Sequence, residues 1–419
     1  MKVWILIFVC MFSMPLLVAV LHFRMRKGQI LKIRQDYVKN ARYFGRSFSS
    51  LVEKALPEMK NGMIMLSRPE KVLETDGKQE FVQPEIENLV IARNTIFCPQ
   101  QEDLHFQKEI YSEKDALFVK ENIRLRAVYS KKRLLFGNKI RLLRWADAEH
   151  AVAVYDECDL GERVSSGEQL VIGFENVFHS LYAPVIRLGQ RPEEPDRFMD
   201  GRDPRIFRMP VMNRYEYNRH YIDDDMVTES GTVPYTIISR GDIKVIEDII
   251  LQGDIHSDGA VRIMENASVL GNIFAENDIL LEKNATVLGN IFTQGNIIFE
   301  EGASAGQPHK IISVVARGTI TFYGGNYVYG YVVSEGGGKI LKSDREISGE
   351  YCFPREPVHE EKITFRDLSE YENVDFQGFR GDIYVKEAII PEGASVIPKS
   401  QFFECRSLEK VYLPESVSV

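Results

Sequence analysis

The chain has 419 residues, of which 44% are hydrophobic and 27% charged, with a formal net charge of −9 at pH 7. That is the balance of an ordinary globular chain, and the acidic excess, without a basic stripe interleaved with aromatics, argues against a general nucleic-acid binder. The five cysteines (Cys10, Cys98, Cys158, Cys352 and Cys405) are scattered and never in CxxC spacing, which suits a reducing compartment better than a disulfide framework.

Residues 3–21 (VWILIFVCMFSMPLLVAVL) are 19 residues without a charge. That length crosses a bilayer core, and Pro15 is tolerated in a membrane helix. A cleaved signal peptide fits less well, because the n-region is only Met1 and Lys2 and no small-x-small site precedes His22. Residues 1–22 are therefore expected to form a transmembrane anchor. Arg24, Arg26, Lys27, Lys32 and Arg34 follow the span and only Lys2 precedes it, which places the body in the cytoplasm. With Ile30, Leu31 and Ile33 between the charges, residues 24–34 also suit anionic lipid, although a stop-transfer flank is the plainer reading.

Residues 23–107 read as a mixed juxtamembrane segment, with an amphipathic stretch over 43–56 followed by short strands. Residues 108–189 read as an irregular β-helical block. In it Arg126, Arg144 and Arg163 open three similar phrases, RAVYSKKRLLFGNKI, RWADAEHAVAVYDECDL and RVSSGEQLVIGFENVF, at spacings of 18 and 19. These arginines make either an anion-binding ladder or a surface column paired with Asp147, Glu162 or solvent; the second is the plainer reading. Residues 190–232, with Pro192, Pro195, Pro204 and Pro210, read as an insertion or hinge between two blocks.

Residues 233–345 carry the strongest signal. NASVLGNIFAENDILLEK is followed directly by NATVLGNIFTQGNIIFEE, an 18-residue period, and a period this short specifies a solenoid. Odd positions are small or apolar and even positions mostly polar, the alternation of a strand with one buried face. Because 18 is even, each column keeps its face from turn to turn. The core columns are then Ile243/Val261/Ile279/Ile297, Val245/Ile263/Leu281/Phe299 and Leu251/Val269/Val287. Three corner columns are expected to bend through left-handed backbone: Gly241/Gly259/Asn277/Gly295, Asp248/Asn266/Asn284/Gly302 and Gly253/Gly271/Gly289. The first continues to Gly318 and Gly336, six turns in all. The expected fold is an all-β, three-sided parallel β-helix, and at ~4.8 Å per turn six turns make a rod of roughly 29 Å.

Residues 346–419 form a C-terminal extension. Its last part, AIIPEGASVIPKSQFFECRSLEKVYLPESV, resembles a leucine-rich repeat of the bacterial surface-antigen type. Ile390, Pro391, Gly393, Ile397, Phe402, Cys405, Leu408, Val411 and Leu413 match, and Gln401 replaces the usual Ala. About one repeat is covered. A single repeat buries no core of its own, so a cap on the solenoid is expected. RGDIYV (380–385) also restates RGDIKV (240–245), so the β-helical rhythm is expected to run towards it.

No catalytic, cofactor or metal site is assigned. The eight histidines have no pair at metal-ligand spacing, and no GxSxG occurs. Gly336-Gly337-Gly338-Lys339 ends like a phosphate loop, but Ile340 replaces Ser/Thr, so it reads as a solenoid corner. Arg240-Gly241-Asp242 and Arg380-Gly381-Asp382 stand where strands begin. Asp223-Asp224-Asp225 reads as a solvated acidic turn rather than a cation site. An 18-residue turn also fits hexapeptide acyltransferases, but neither His256 nor His309 recurs in the ladder.

The phrases VLGNIFAENDILLEKNATVLGNI resemble the bactofilins, polymer-forming bacterial cytoskeletal proteins. The likeness covers residues 241–340. YFGRSF, RAVYS, RWADAE and RVSS further resemble a longer, membrane-anchored branch. The resemblance implies a right-handed β-helix, end-to-end self-association, and a place at the inner membrane of a bacterium. The function it implies is a membrane-anchored, non-enzymatic scaffold that associates with itself through its β-helix ends. The alternatives are a capped monomeric platform that recruits a protein partner, through the C-terminal tail for example, and, third, a hexapeptide-type acyltransferase. No cofactor is implied.

Overall fold

The computed structural model describes residues 40–75, 78–192, 232–308, 310–342, 385–394 and 408–416, with Met14, Phe402 and the short strands Tyr215–Tyr217, Tyr221–Ile222 and Lys362–Thr364. The span expected over residues 3–21 lies, apart from Met14, outside the described residues. Among the described residues no helix is long and apolar enough to cross a membrane. The chain divides into two compact units, Met1–Tyr43 and Phe44–Val419. Apart from Met14, the first is described only from Asn40, whose side chain accepts the Arg42 N–H at 3.0 Å.

The second unit is all-β and holds a parallel β-solenoid of about 12 turns. Each turn lays down strands on three faces, here A, B and C. In the regular block, face A stacks Ile255, Ile273, Ile291 and Val314. Face B stacks Ile243, Val261, Ile279, Ile297 and Ile320. Face C stacks Leu251, Val269, Val287, Ala305 and Val328. All of these side chains are buried. Alternation along each short strand therefore sends one row inward, and the even period repeats it turn after turn.

The corners differ from expectation in one respect. Only the Asp248/Asn266/Asn284/Gly302 column is left-handed, with φ of 57–76°. The Gly253/Gly271/Gly289 column is required by crowding instead: a Cβ on Gly271 would lie 2.3 Å from the carbonyl oxygen of Gly253. Two asparagine-rich rows stitch the turns together. Asp254 accepts the Asn272 N–H (2.6 Å), and Asn272 accepts that of Asn290 (2.8 Å). Asp278 and Asn296 do the same for Asn296 and Thr319.

The same plan builds an upstream block, which begins at the strand Pro69–Thr75 and so reaches further back than residue 108. Face A there stacks Val90, Ile110, Val128, Ala146, Val164 and Leu181. Face B stacks Ala116, Leu134, Val152, Leu170 and Ile186. At the matching corner, between faces B and C, its left-handed residues are Asp103, Asn122, Lys139, Glu157 and Glu175. Lys and Glu do not announce such a backbone, which is why the repeat is faint in sequence. The core is aromatic at the start of this block, where Phe81, Phe97, Phe106 and Phe118 meet edge to face at 5.4–6.3 Å.

Residues 190–232 are not wholly an interruption. Tyr215–Tyr217 and Tyr221–Ile222 pair in parallel with Thr236–Ser239 and Ile243–Val245, adding to the start of the regular block. The C-terminal extension forms a separate sheet, Lys362–Thr364, Glu387–Ile389 and Lys410–Tyr412. Ile363, Ala388 and Val411 are register partners, so its rungs are 25 and 23 residues apart, longer than a solenoid turn. Three rungs are present where the motif showed about one repeat. The solenoid-like RGDIYV phrase lies outside the described residues except for Val385.

Candidate functional site

The helix Tyr43–Ala55 is amphipathic: Phe48, Val52, Ala55 and Leu56 recur at helical spacing on one side. That side lies on the outer surface of face A of the upstream block, against Leu89, Ile91, Tyr111, Ala127, Tyr129 and Trp145. Phe48 meets Trp145 at 5.6 Å and Tyr111 at 6.4 Å, both edge-on. Gly45 is fixed by close approach, since a Cβ there would lie 2.4 Å from the Asp147 side chain.

A polar network surrounds this apolar contact. The Ser165 hydroxyl donates to Asp147 Oδ1 at 2.7 Å, and Tyr129 donates to Glu149 at 2.8 Å. Lys131 reaches Glu53 at 2.9 Å, and Arg163 lies over the Phe44 ring at 5.6 Å. The hydrogen bond from Lys131 holds the Glu53 carboxyl below its usual range, and burial pushes the Tyr129 hydroxyl well above its own. The phrases YFGRSF, RAVYS, RWADAE and RVSS are thus one contact: a helix and the three rungs beneath it. The Ser165–Asp147 pair is 2% and 1% exposed, so it is closed to a substrate and holds structure.

The second surface is the meeting of the two blocks. The last turn of each is a single long strand, Asn176–Leu188 and Asn326–Ile340, and the two pair antiparallel along all three faces. Asn176 faces Ile340, Leu181 faces Val332, and Leu188 faces Asn326. The C-terminal end of one solenoid therefore covers the C-terminal end of the other. Both strands open on a buried asparagine that ties back one turn: Asn176 donates to the Tyr155 carbonyl (2.7 Å) and Asn326 to that of Ala303 (3.0 Å). The GGGK string is a corner of the last turn, where the Gly336 N–H donates to the Gly318 carbonyl at 3.0 Å, and it also belongs to this joint. A Cβ on Gly338 would lie 2.2 Å from the Phe178 ring, which fills the space instead.

Face A continues through the joint into the regular block, and there its outer row is Ile238, His256, Phe274, Phe292, Val315 and Val333. Phe274 and Phe292 are 40% and 42% exposed, and the His256 ring stacks on Phe274 at 4.9 Å. His256 is thus a member of an outer aromatic row. His309 lies outside the described residues.

Other sequence candidates resolve into structure. Asp242 of the first RGD accepts the Ala260 N–H at 2.8 Å, a stitch between turns. Arg380-Gly381-Asp382 and Asp223-Asp224-Asp225 lie outside the described residues. Arg126, Arg144 and Arg163 do not form a column. A bulge in the strand Arg141–Ala148 displaces Arg144, and Arg163 registers with Trp145. Arg126 pairs with Glu109 at 3.2 Å. Burial pushes the Cys158 thiol up to about 12, so it is an unreactive core residue. Among the described residues no group of three His, Cys, Asp or Glu side chains is placed to hold a metal ion. Comparison with protein-family models, with characterised proteins and with solved structures finds no match.

Proposed function

We propose that this chain is a membrane-tethered, non-enzymatic scaffold of bactofilin type in which two solenoids are fused end to end, making a platform of fixed length. The observation that carries this reading is the antiparallel pairing of the last turns, Asn176–Leu188 with Asn326–Ile340. An open solenoid end is a row of unpaired strand edges and invites another strand. Here two such ends satisfy each other within one chain, so the stacking contact is internal. This favours the capped platform over a polymer built through those ends. The upstream block is also blunted at its start, where Met63–Met65 pairs antiparallel with the edge strand Pro69–Thr75.

Geometry adds a constraint on hand. Two helical coils that meet C-terminus to C-terminus with antiparallel strands around a full turn must share the same hand. A right-handed twist, implied by the bactofilin likeness, then applies to both blocks. The uncharged run 3–21 and the basic residues that follow it support a tether with the solenoid on the cytoplasmic side. The separate C-terminal sheet is a second surface for recruiting a protein.

Sedimentation and negative-stain microscopy of the full chain in detergent test this reading. Discrete particles of constant size are expected across concentration. Filaments that lengthen with concentration would return the polymer reading to first place.

A further inference from the structure

The anion ladder expected of Arg126, Arg144 and Arg163 does not form, but a different basic column does. On face C of the upstream block, Glu85, His105, Arg124 and Arg141 are successive register partners, followed by Asp159. Partners on adjacent rungs stand about 4.8 Å apart. Arg124 and Arg141 are both exposed, and among the described residues neither meets a carboxylate. Elsewhere on this block the pattern is the opposite: Arg133 meets Asp115 at 2.7 Å and Lys139 meets Glu121 at 2.9 Å, each one turn away. Like charges directly opposite on a sheet are destabilising, so this pair costs the unliganded protein some stability. Together with Glu85, Asp103, His105 and Asn122, the two arginines line a groove of about 370 Å³.

We propose that this groove binds a phosphorylated sugar or polyol, with its phosphate between Arg124 and Arg141 and its hydroxyls towards Asp103, Asn122 and Glu85. Two guanidinium forks on neighbouring rungs offer more donors than one carboxylate accepts, and they match the terminal oxygens of a phosphate. The carboxylates at the other end of the groove repel a bare polyanion but accept hydrogen bonds from hydroxyls. The ligand is therefore charged at one end and hydroxylated at the other. A soluble sugar phosphate and a glycerophosphate lipid headgroup share this chemistry.

Isothermal titration calorimetry on the full chain in zwitterionic detergent, at constant ionic strength, tests the proposal with glucose 6-phosphate, glucose and inorganic phosphate. Glucose 6-phosphate is expected to bind saturably, inorganic phosphate more weakly, and glucose not at all. Arg124→Gln and Arg141→Gln are each expected to weaken binding at least tenfold. Neither should lower the melting temperature of the unliganded protein, because each removes a like-charge contact. Arg144→Gln, outside the groove, is expected to bind as wild type. Competition from phosphatidylglycerol added to the micelles assigns the site to a lipid headgroup; undiminished binding assigns it to a soluble ester. The proposal is overturned if no saturable heat appears up to roughly 10 mM ligand, well beyond the millimolar limit of weak specific binding. It is equally overturned if the double arginine variant binds like wild type, or if bare phosphate binds more tightly than the sugar ester.

Discussion

The two solenoid blocks solve one architectural problem by different means. The regular block stacks aliphatic columns, places Asp, Asn or Gly at its left-handed corner, and stitches its turns with Asp and Asn side chains. The upstream block keeps the same order of faces but puts Lys139, Glu157 and Glu175 at that corner. It has an aromatic core at its start and lays a helix over face A. Strong local preference makes the first block self-sufficient, while the second relies on packing from outside the ladder. A solenoid thus tolerates unfavourable corner residues when another element buries its outer surface.

The sharpest way to break this picture is a charge in the core. Ile273→Asp should cost more than about 4 kcal/mol, because a buried carboxylate without a partner must be desolvated. The Ile273 side chain is fully buried. Hydrogen exchange should then show lost protection in the regular block before the upstream block. Simultaneous loss in both blocks would mean that they fold as one unit. Gly338→Ala comes next. It drives a methyl group into the Phe178 ring, at a cost of about 1–3 kcal/mol, and thermal unfolding should show it.

Gly45→Ala tests the helix. A gain of about 1 kcal/mol in helix propensity opposes an overpacking cost of about 1–3 kcal/mol against Asp147. Net undocking is expected, with a red shift in Trp145 fluorescence as its nearly buried ring meets water. At the corners, Glu157→Asn should stabilise the upstream block by about 1 kcal/mol and Asn266→Glu should destabilise the regular block by a similar amount. No gain in Glu157→Asn, or no loss in Asn266→Glu, would erase the contrast between the blocks.

The smallest effect is electrostatic. The carboxyl of Glu53 is held below its ordinary value of 4.5 by Lys131, so it binds fewer protons when folded. Its contribution is present above the unfolded pKa and is lost as pH falls through the lowered folded one. Helix docking, followed by Trp145 fluorescence, should weaken below about pH 4.5 in the wild type, and Glu53→Gln should flatten that dependence.

Much of the ladder was legible because an even period fixes every column to one face, so Ile273 and Ile291 are recognisable as core from their spacing alone. The upstream block was legible only in part, since Lys139 and Glu157 occupy corners that Asn or Gly would have marked. The joint left no signal: antiparallel pairing between distant strands imposes no spacing, and Asn176–Leu188 reads like one more turn. The groove was hidden by bulges. Two residues oppose one beside Arg126, on both neighbouring strands, so spacing alone misassigns which arginines stack. The helix was visible as an amphipathic stretch, but its partner rungs lie up to about a hundred residues further along.

The claim that the two solenoid ends close on each other within one chain is tested most directly by a disulfide. Ser180 and Val333 are register partners across the joint. Antiparallel partners lie about 4.5–5.5 Å apart at Cα, within disulfide reach. In a chain with Cys10, Cys352 and Cys405 changed to serine, Ser180→Cys combined with Val333→Cys should oxidise to an intrachain bridge. The product should be a monomer of increased mobility on non-reducing gels. Disulfide-linked dimers and higher species, or failure to oxidise in the folded protein, would contradict the account.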